Sequence, residues 1–328
     1  MAHDFESYIP NSILKCKRDQ EFQNFFLSLV DYRNNYFLSN DPEDIIHFYE
    51  GFENREELIE WMKERPKGSC EIREVEGEKE IVVVIPTADL EGEYAKRCRE
   101  EIFKGLHIIF VVSGKDNNYF NYAHNCNVGI KRALEYNPKW VVLSNDDMYK
   151  IDHIEILKKE LGKLDNEKVD VAFPTRGDYY SILSYFGKKT WQYKLYRHIS
   201  DWNLARLYVK FKIDYFYAFY NFKSKIVFKK VLDTDFINID SFGIFSSNYL
   251  KKFENIFDDT YINDHEDTDL SFRLRLEYAS RLFIGYSIGA FRGGTFGMDR
   301  ARGLRSVAGR AYFNYKYSAL LEDFLKRR

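Results

Sequence analysis

Two groups of acids in this chain have the residue types and spacing to do chemistry. The first is Asn145, Asp146 and Asp147, which directly follow the apolar run Trp140 to Leu143 in WVVLSNDDM. A short buried strand that ends abruptly in oxygen-bearing side chains sits where open α/β sheets bind ligands, outside the carboxyl ends of their strands. Oxygen-only ligands there suit magnesium or manganese, which can bridge the two phosphates of a nucleotide. The same residues also make a polar turn or a helix cap, a common use of Asn and Asp. The second group is Asp264, Glu266, Asp267 and Asp269 around His265. Leu270, Leu274 and Tyr278 recur every four residues after it, so the acids crowd the first turn of a helix, whose dipole favours their ionised form. A carboxylate held there can take the proton of an attacking hydroxyl. Its other use is capping, with Asp264 at the N-cap and Asp267 three residues on.

A third constellation is basic: Arg292, Arg300, Arg302, Arg305 and Arg310 in FRGGTFGMDRARGLRSVAGR. Guanidinium groups among glycines can approach phosphate oxygens closely, and they equally make a solvated basic tail.

The elements that must position these residues begin at Glu80. Ile81 to Ile85 reads as a buried strand, Cys98, Ile102 and Leu106 follow at helical spacing, and His107 to Val112 is a second strand. A helix over NYAHNCNVGIKRALE, ended by Asn137 and Pro138, then leads into the strand before the first acids. Strand, helix and strand in this order predict right-handed βαβ units, hence an α/β fold with a mostly parallel central sheet flanked by helices. Further strands are expected at Val169 to Phe173, Asn238 to Phe245 and Arg281 to Ile288, with a last helix from about Tyr312 to Lys326. Residues 1–78 read as mostly helical, including a capped helix over DPEDIIHFYEG. They are either a packing extension or an added recognition or oligomerisation module. Residues 79–310 form the main domain and 311–328 a C-terminal helix. Within the main domain, residues 178–232 are crowded with aromatic and basic side chains. Such a segment suits an anionic membrane interface or a stacking surface for sugars or bases, and it equally suits a helical insertion with an aromatic core.

Bulk composition narrows the partners. The 49 Lys and Arg against 51 Asp and Glu leave a net charge of -2, which carries no whole-protein argument for nucleic acid. Cys16, Cys70, Cys98 and Cys126 are too scattered for a zinc, redox or disulfide framework. There is no apolar run of about 18 residues for a membrane span, and MAHDFESYIP lacks the layout of a signal peptide. The expected location is the cytoplasm, with the inner membrane face as an option given by residues 178–232.

From Glu80 onward the order of these signals resembles the GT-A fold glycosyltransferases, glycosyltransferase family 2 in particular. IVVVIPT looks like the family's first strand, AHNCNVGIKRA like its helix, WVVLSNDDM like the strand with the DXD motif, the segment ending in HEDTDL like the ED motif, and RAYFNYKY like the late arginine-to-asparagine pattern. The resemblance implies an inverting transferase that moves a sugar from a nucleotide-diphosphate sugar to a glycan, lipid-linked or protein acceptor, with manganese or magnesium as cofactor. It assigns the metal to Asp147 and the general base to Asp267, supported by Glu266, and it leaves Asp269 to anchor its helix through Arg273. The nucleotide falls to Thr87, Asp116, Asn127, Asn145, Asp146 and Arg292. Asn145 stands where the family has its first acid, and Arg292 is the nearest polar residue to the position of a late histidine. These two departures favour the alternative, a non-catalytic binding protein of the same fold that engages membrane or nucleic acid through the basic aromatic segment. The pair Glu266 and Asp267 favours the enzyme.

Overall fold

The computed structural model describes residues 32–175, 241–291 and 300–326. Residues 1–31, the segment 178–232 and Arg292 lie outside them. A helix over 32–38 (α1) is followed by α2 (Pro42–Glu50) and α3 (Arg55–Glu64). The starts of α2 and α3 are set by side chains: Asp41 accepts from the Glu43 N–H and Asn54 from that of Glu57. Strands β1 (Glu71–Val75) and β2 (Glu78–Thr87) come next, then α4 (Glu93–Arg97), which runs on into a π-helical turn at Cys98–Ile102. After β3 (Leu106–Val112) and α5 (Tyr122–Glu135) come β4 (Trp140–Ser144), β5 (Met148–Lys150), α6 (Ile154–Leu161) and β6 (Val171–Pro174). The second described stretch holds β7 (Phe242–Ser246), α7 (Ser247–Leu250), α8 (Glu266–Leu276), β8 (Arg281–Ile284) and β9 (Ile288–Ala290); the third is one long helix, α9 (Arg300–Lys326).

The expected α/β architecture is present, and its main sheet is mixed. The strand order is β1-β3-β2-β4-β7-β6-β8. β2 runs parallel to β3 and β4, and β6 parallel to β8, whereas β1 on β3, β7 on β4 and β6 on β7 are antiparallel. Alternation along β2 divides the core in two. Ile81, Val83 and Ile85 face the side covered by α4 and α6, and Val82 and Val84 face α5, α7 and α8. Gly129 lets α5 lie directly on this second face, because a Cβ there would run into the Val84 and Val111 methyl groups.

A third apolar cluster joins Phe37, Ile45, Phe48, Leu58 and Trp61 of the first helices to Leu304, Val307 and Ala311 of α9. The Tyr49 hydroxyl seals it, donating to the Leu304 carbonyl at 2.7 Å. Three boundaries move relative to the sequence reading. Residues 71–75, expected within a helical extension, form the edge strand β1 because their charged side chains need only one covered face. The last helix starts at Arg300, twelve residues before Tyr312, since the glycines at 303 and 309 lie inside it. The expected strand Arg281 to Ile288 is two strands, the second pairing with β5 away from the main sheet.

Candidate functional site

A cleft of about 770 Å³ opens at the carboxyl ends of β2, β3 and β4. It gathers residues that are far apart in the chain: Thr87 ends β2, Asp116 follows β3, Asn145, Asp146 and Asp147 follow β4, and Glu266 and Asp267 open α8. Both acidic groups singled out in the sequence therefore share one cavity. Arg302 and Arg305 of α9 form part of its wall. Its lining is acidic overall, with Asp89, Glu93, Asp116, Asp146, Asp147, Asp264, Glu266 and Asp267 set against Lys115, Arg302 and Arg305.

The strand-end acids are held individually. The Thr87 hydroxyl donates to Asp146 Oδ2 at 2.7 Å, which fixes that carboxylate across the parallel β2–β4 pair. Asn145 Oδ1 accepts from the Tyr122 hydroxyl at 2.7 Å, and the Asn145 N–H donates to the Ser241 carbonyl. Burial pushes the Tyr122 hydroxyl well above its usual pKa, so it remains a donor. Asp147 is different. Its Oδ1 is buried and has no hydrogen-bond partner. Burial, with the Asp146 carboxylate beside it, raises the Asp147 carboxyl above the usual range, and burial alone is the leading cause of the upward shift at Asp146. An orphaned carboxylate oxygen next to a second acid fits a hard divalent cation.

The second acidic group reaches the cleft because its loop is fastened to the start of α5. Asn121 Nδ2 donates to the Asp259 and Tyr261 carbonyls, both at 2.9 Å. The Tyr122 N–H donates to Asn263 Oδ1 at 2.7 Å, and Asn263 Nδ2 returns a bond to the Phe120 carbonyl. Asn263 and His265 adopt left-handed backbone (φ 56 and 74), which turns the chain sharply into α8. Gly309 of α9 is what lets that turn approach so closely, since a Cβ there would meet the Asp264 carbonyl oxygen at 2.7 Å. The helix begins at Glu266, so the cap position falls on His265 and not on Asp264.

The four acids of this group have different electrostatic fates. Burial works against ionisation of Asp264, yet His265, Arg310 and Arg302 outweigh it and hold the carboxyl below its usual range. Asp264 Oδ2 lies 3.1 Å from His265 Nδ1. Glu266 is pushed well above the usual range, first by burial and then by the adjacent Asp267 carboxylate, and its Oε2 is buried without a partner. Asp267 lines the cleft, with Oδ1 accepting from the Thr268 N–H at 2.6 Å. Asp269 points away from the cleft and is fully buried. It receives the Tyr317 hydroxyl at 2.8 Å and Arg273 Nε at 3.1 Å, which is the anchoring role expected of it, and Lys316 Nζ lies 2.8 Å away.

One sequence assignment is corrected. Asn127 does not reach the cleft: it lies on the buried face of α5, where Nδ2 donates to the Phe257 carbonyl and Oδ1 accepts from the Phe257 N–H, each at 3.0 Å. Both ends of its amide are spent on a backbone clamp that holds the loop leading to α8. Of the arginines read either as phosphate contacts or as a solvated basic tail, Arg305 is held by backbone carbonyls. Its guanidinium donates to the Phe37, Leu38 and Ser39 carbonyls, and so fastens residues 37–40 to the rim of the cleft. Tyr122, Asn263 and Lys115 were not singled out from the sequence. Tyr122 and Asn263 carry the hydrogen bonds between the two acidic groups, and no local pattern marks such a long-range role.

Among the described residues no helix is long and apolar enough to cross a membrane. Compared with models of known families, with curated proteins and with solved structures, the chain shows no match.

Proposed function

We propose that this chain is a glycosyltransferase that moves a sugar from a nucleotide-diphosphate sugar to a hydroxyl of a glycan, lipid-linked or protein acceptor. One observation carries the reading. A single cleft at the carboxyl ends of parallel strands combines a carboxylate with an orphaned oxygen, Asp147, and a second carboxylate pair, Glu266 and Asp267, on a separate helix. Two acidic stations facing one cavity suit a reaction in which negative charge leaves on one side and a proton leaves on the other.

In this mechanism the acceptor oxygen attacks the anomeric carbon, and the bond from that carbon to the diphosphate breaks with its electron pair staying on the diphosphate. Asp267 takes the acceptor proton. Burial and the adjacent Asp267 carboxylate raise the Glu266 carboxyl well above its usual range, which favours its protonated form. That leaves Asp267 as the member of the pair assigned to the base. The Thr87 hydroxyl keeps Asp146 turned toward the strand, so Asp147 is the acid presented to the donor. A magnesium or manganese ion bound at Asp147 would neutralise the departing diphosphate. Its charge also answers an electrostatic requirement, since a diphosphate entering a cleft with this excess of carboxyls is repelled without a cation. Lys115, whose ammonium sits 2.7 Å from Asp89 Oδ2, and Arg302 stand on the wall with Arg305, whose guanidinium is held by backbone carbonyls. The resemblance to the inverting family 2 enzymes gives the stereochemical outcome, inversion at the anomeric carbon.

The test is a screen of nucleotide sugars by thermal shift, with and without manganese. Ligand binding to the folded state stabilises it by mass action, so one donor should raise the melting temperature, and more so with the metal. If no nucleotide sugar and no nucleoside diphosphate shifts the transition, the proposal fails.

A further inference from the structure

A second cluster of ligand-type side chains lies at the opposite end of the sheet from the cleft. His107, near the start of β3, has a fully buried side chain, and neither ring nitrogen has a hydrogen-bond partner. A buried imidazole in that state has lost its hydration without an aligned hydrogen bond to replace it. Glu74 of β1 and Glu76 of the β1–β2 turn bring a carboxylate to each edge of the ring. Glu74 Oε2 lies 3.3 Å from Nε2, and Glu76 Oε2 lies 3.6 Å from Nδ1. One donor atom from each of the three residues can be chosen so that all lie within 4.8 Å of one another.

We propose that Glu74, Glu76 and His107 bind a divalent transition metal, zinc foremost, which ties the edge strand β1 and its turn to β3. The donor set is one imidazole and two carboxylates, a mixture that suits zinc better than the all-oxygen sites of magnesium or calcium. The distance agrees as well. Zinc bonds of about 2.0–2.2 Å at a tetrahedral angle put two donor atoms roughly 3.4 Å apart. The His107 to Glu74 separation is 3.3 Å, yet the pair is not aligned as a hydrogen bond. Two ligands of one ion have this geometry, because the ion lies off the line that joins them.

The surroundings of Glu74 are those of an oriented ligand. Arg132 Nε donates to its Oε1 and the Tyr136 hydroxyl to its Oε2, both at 2.6 Å, and Arg132 also donates to the Tyr136 hydroxyl. A carboxylate oxygen accepts more than one bond, so Oε2 can keep Tyr136 and still take a metal. Outer partners of this kind fix the direction of a metal ligand. Glu76 is mostly exposed at 75%, which supplies both the entry path and the freedom for its carboxylate to swing from the Nδ1 edge toward the Nε2 side. From His107 to Ser113 the strand spans about 20 Å at roughly 3.3 Å per residue, so the site is independent of the cleft.

The experiment is zinc titration of the full chain by calorimetry, with cobalt absorption as a second readout of a mixed nitrogen and oxygen site. The expected result, measured in an Asp147→Asn background that removes the cleft's own cation ligand, is one zinc bound. In that background binding should be lost in Glu76→Gln, whose exposed side chain puts no load on folding, and weakened by about 10–100-fold in Tyr136→Phe. Zinc binding that survives Glu76→Gln in that background, or that is absent from the Asp147→Asn protein at micromolar zinc, would overturn the proposal. A donor screen that fails while zinc still binds here would refute the transferase reading alone.

Discussion

Replacing Asn127 by alanine separates a nucleotide contact from a backbone clamp. The side chain makes two hydrogen bonds of 3.0 Å, one with the Phe257 N–H and one with the Phe257 carbonyl. Phe257 is buried, at 2% exposure, so water does not replace the amide once it is gone. Each stranded backbone group costs about 1–3 kcal/mol, so losing the partner of both should destabilise by roughly 2–6 kcal/mol. That is a large part of the ~5–15 kcal/mol by which a domain of this kind is stable. At about 2.1 cal/mol/K of unfolding entropy per residue over 328 residues, it corresponds to a fall in melting temperature of about 3–9 °C. Urea denaturation should show a lowered midpoint with an unchanged slope. Calorimetry below the transition should show nucleoside diphosphate binding close to that of the wild type. An unchanged urea midpoint together with lost nucleotide binding would refute the clamp and restore Asn127 to the nucleotide.

Two further substitutions probe the acids of α8. Glu266→Gln should stabilise the protein above about pH 4.3, because the raised Glu266 carboxyl makes ionisation costlier in the folded state than in the unfolded one. The raised carboxyl favours folding fully only below that pH and loses its contribution as pH rises, so the advantage of glutamine should vanish on acidification; a stability gap that widens toward pH 4 would contradict this. Asp269→Ala should cost about 3–5 kcal/mol in urea, since it leaves Arg273 and the buried Tyr261 and Tyr317 hydroxyls without the carboxylate they share, while Lys316 keeps Asp258. A loss below about 1 kcal/mol would mean that the network contributes little.

The legible parts of this molecule were those written in continuous or periodic runs. Ile81–Ile85 and Trp140–Leu143 read directly as strands because both of their faces are covered, and the acids after β4 and at the start of α8 are dense enough to notice. The remainder depends on contacts between distant segments. The place of β7 between β4 and β6 follows from pairing across about a hundred residues, which no local pattern encodes. The edge strand Glu71–Val75 has no buried residue, so its charged sequence resembles a solvated turn. The long helix Arg300–Lys326 carries glycines that weaken helix propensity, and the reason for Gly309 is the Asp264 carbonyl, far away in sequence. The resemblance assigns Asn127 to the nucleotide, whereas the tertiary structure brings Phe257 beneath the buried side of α5 and spends the amide there. In the cleft, the polar side chains that join the two acidic groups, Tyr122 and Asn263, look ordinary until the loop at 258–265 folds back onto the start of α5.

The central claim is that Asp267 acts as the base in sugar transfer at a cleft whose donor side is Asp147. With the donor found by the thermal-shift screen, transfer and donor affinity are measured for the wild type and for Asp267→Asn. The account predicts that transfer falls by at least ~10²–10⁴-fold while donor affinity stays within a few fold. Turnover by Asp267→Asn at a rate near that of the wild type would contradict it.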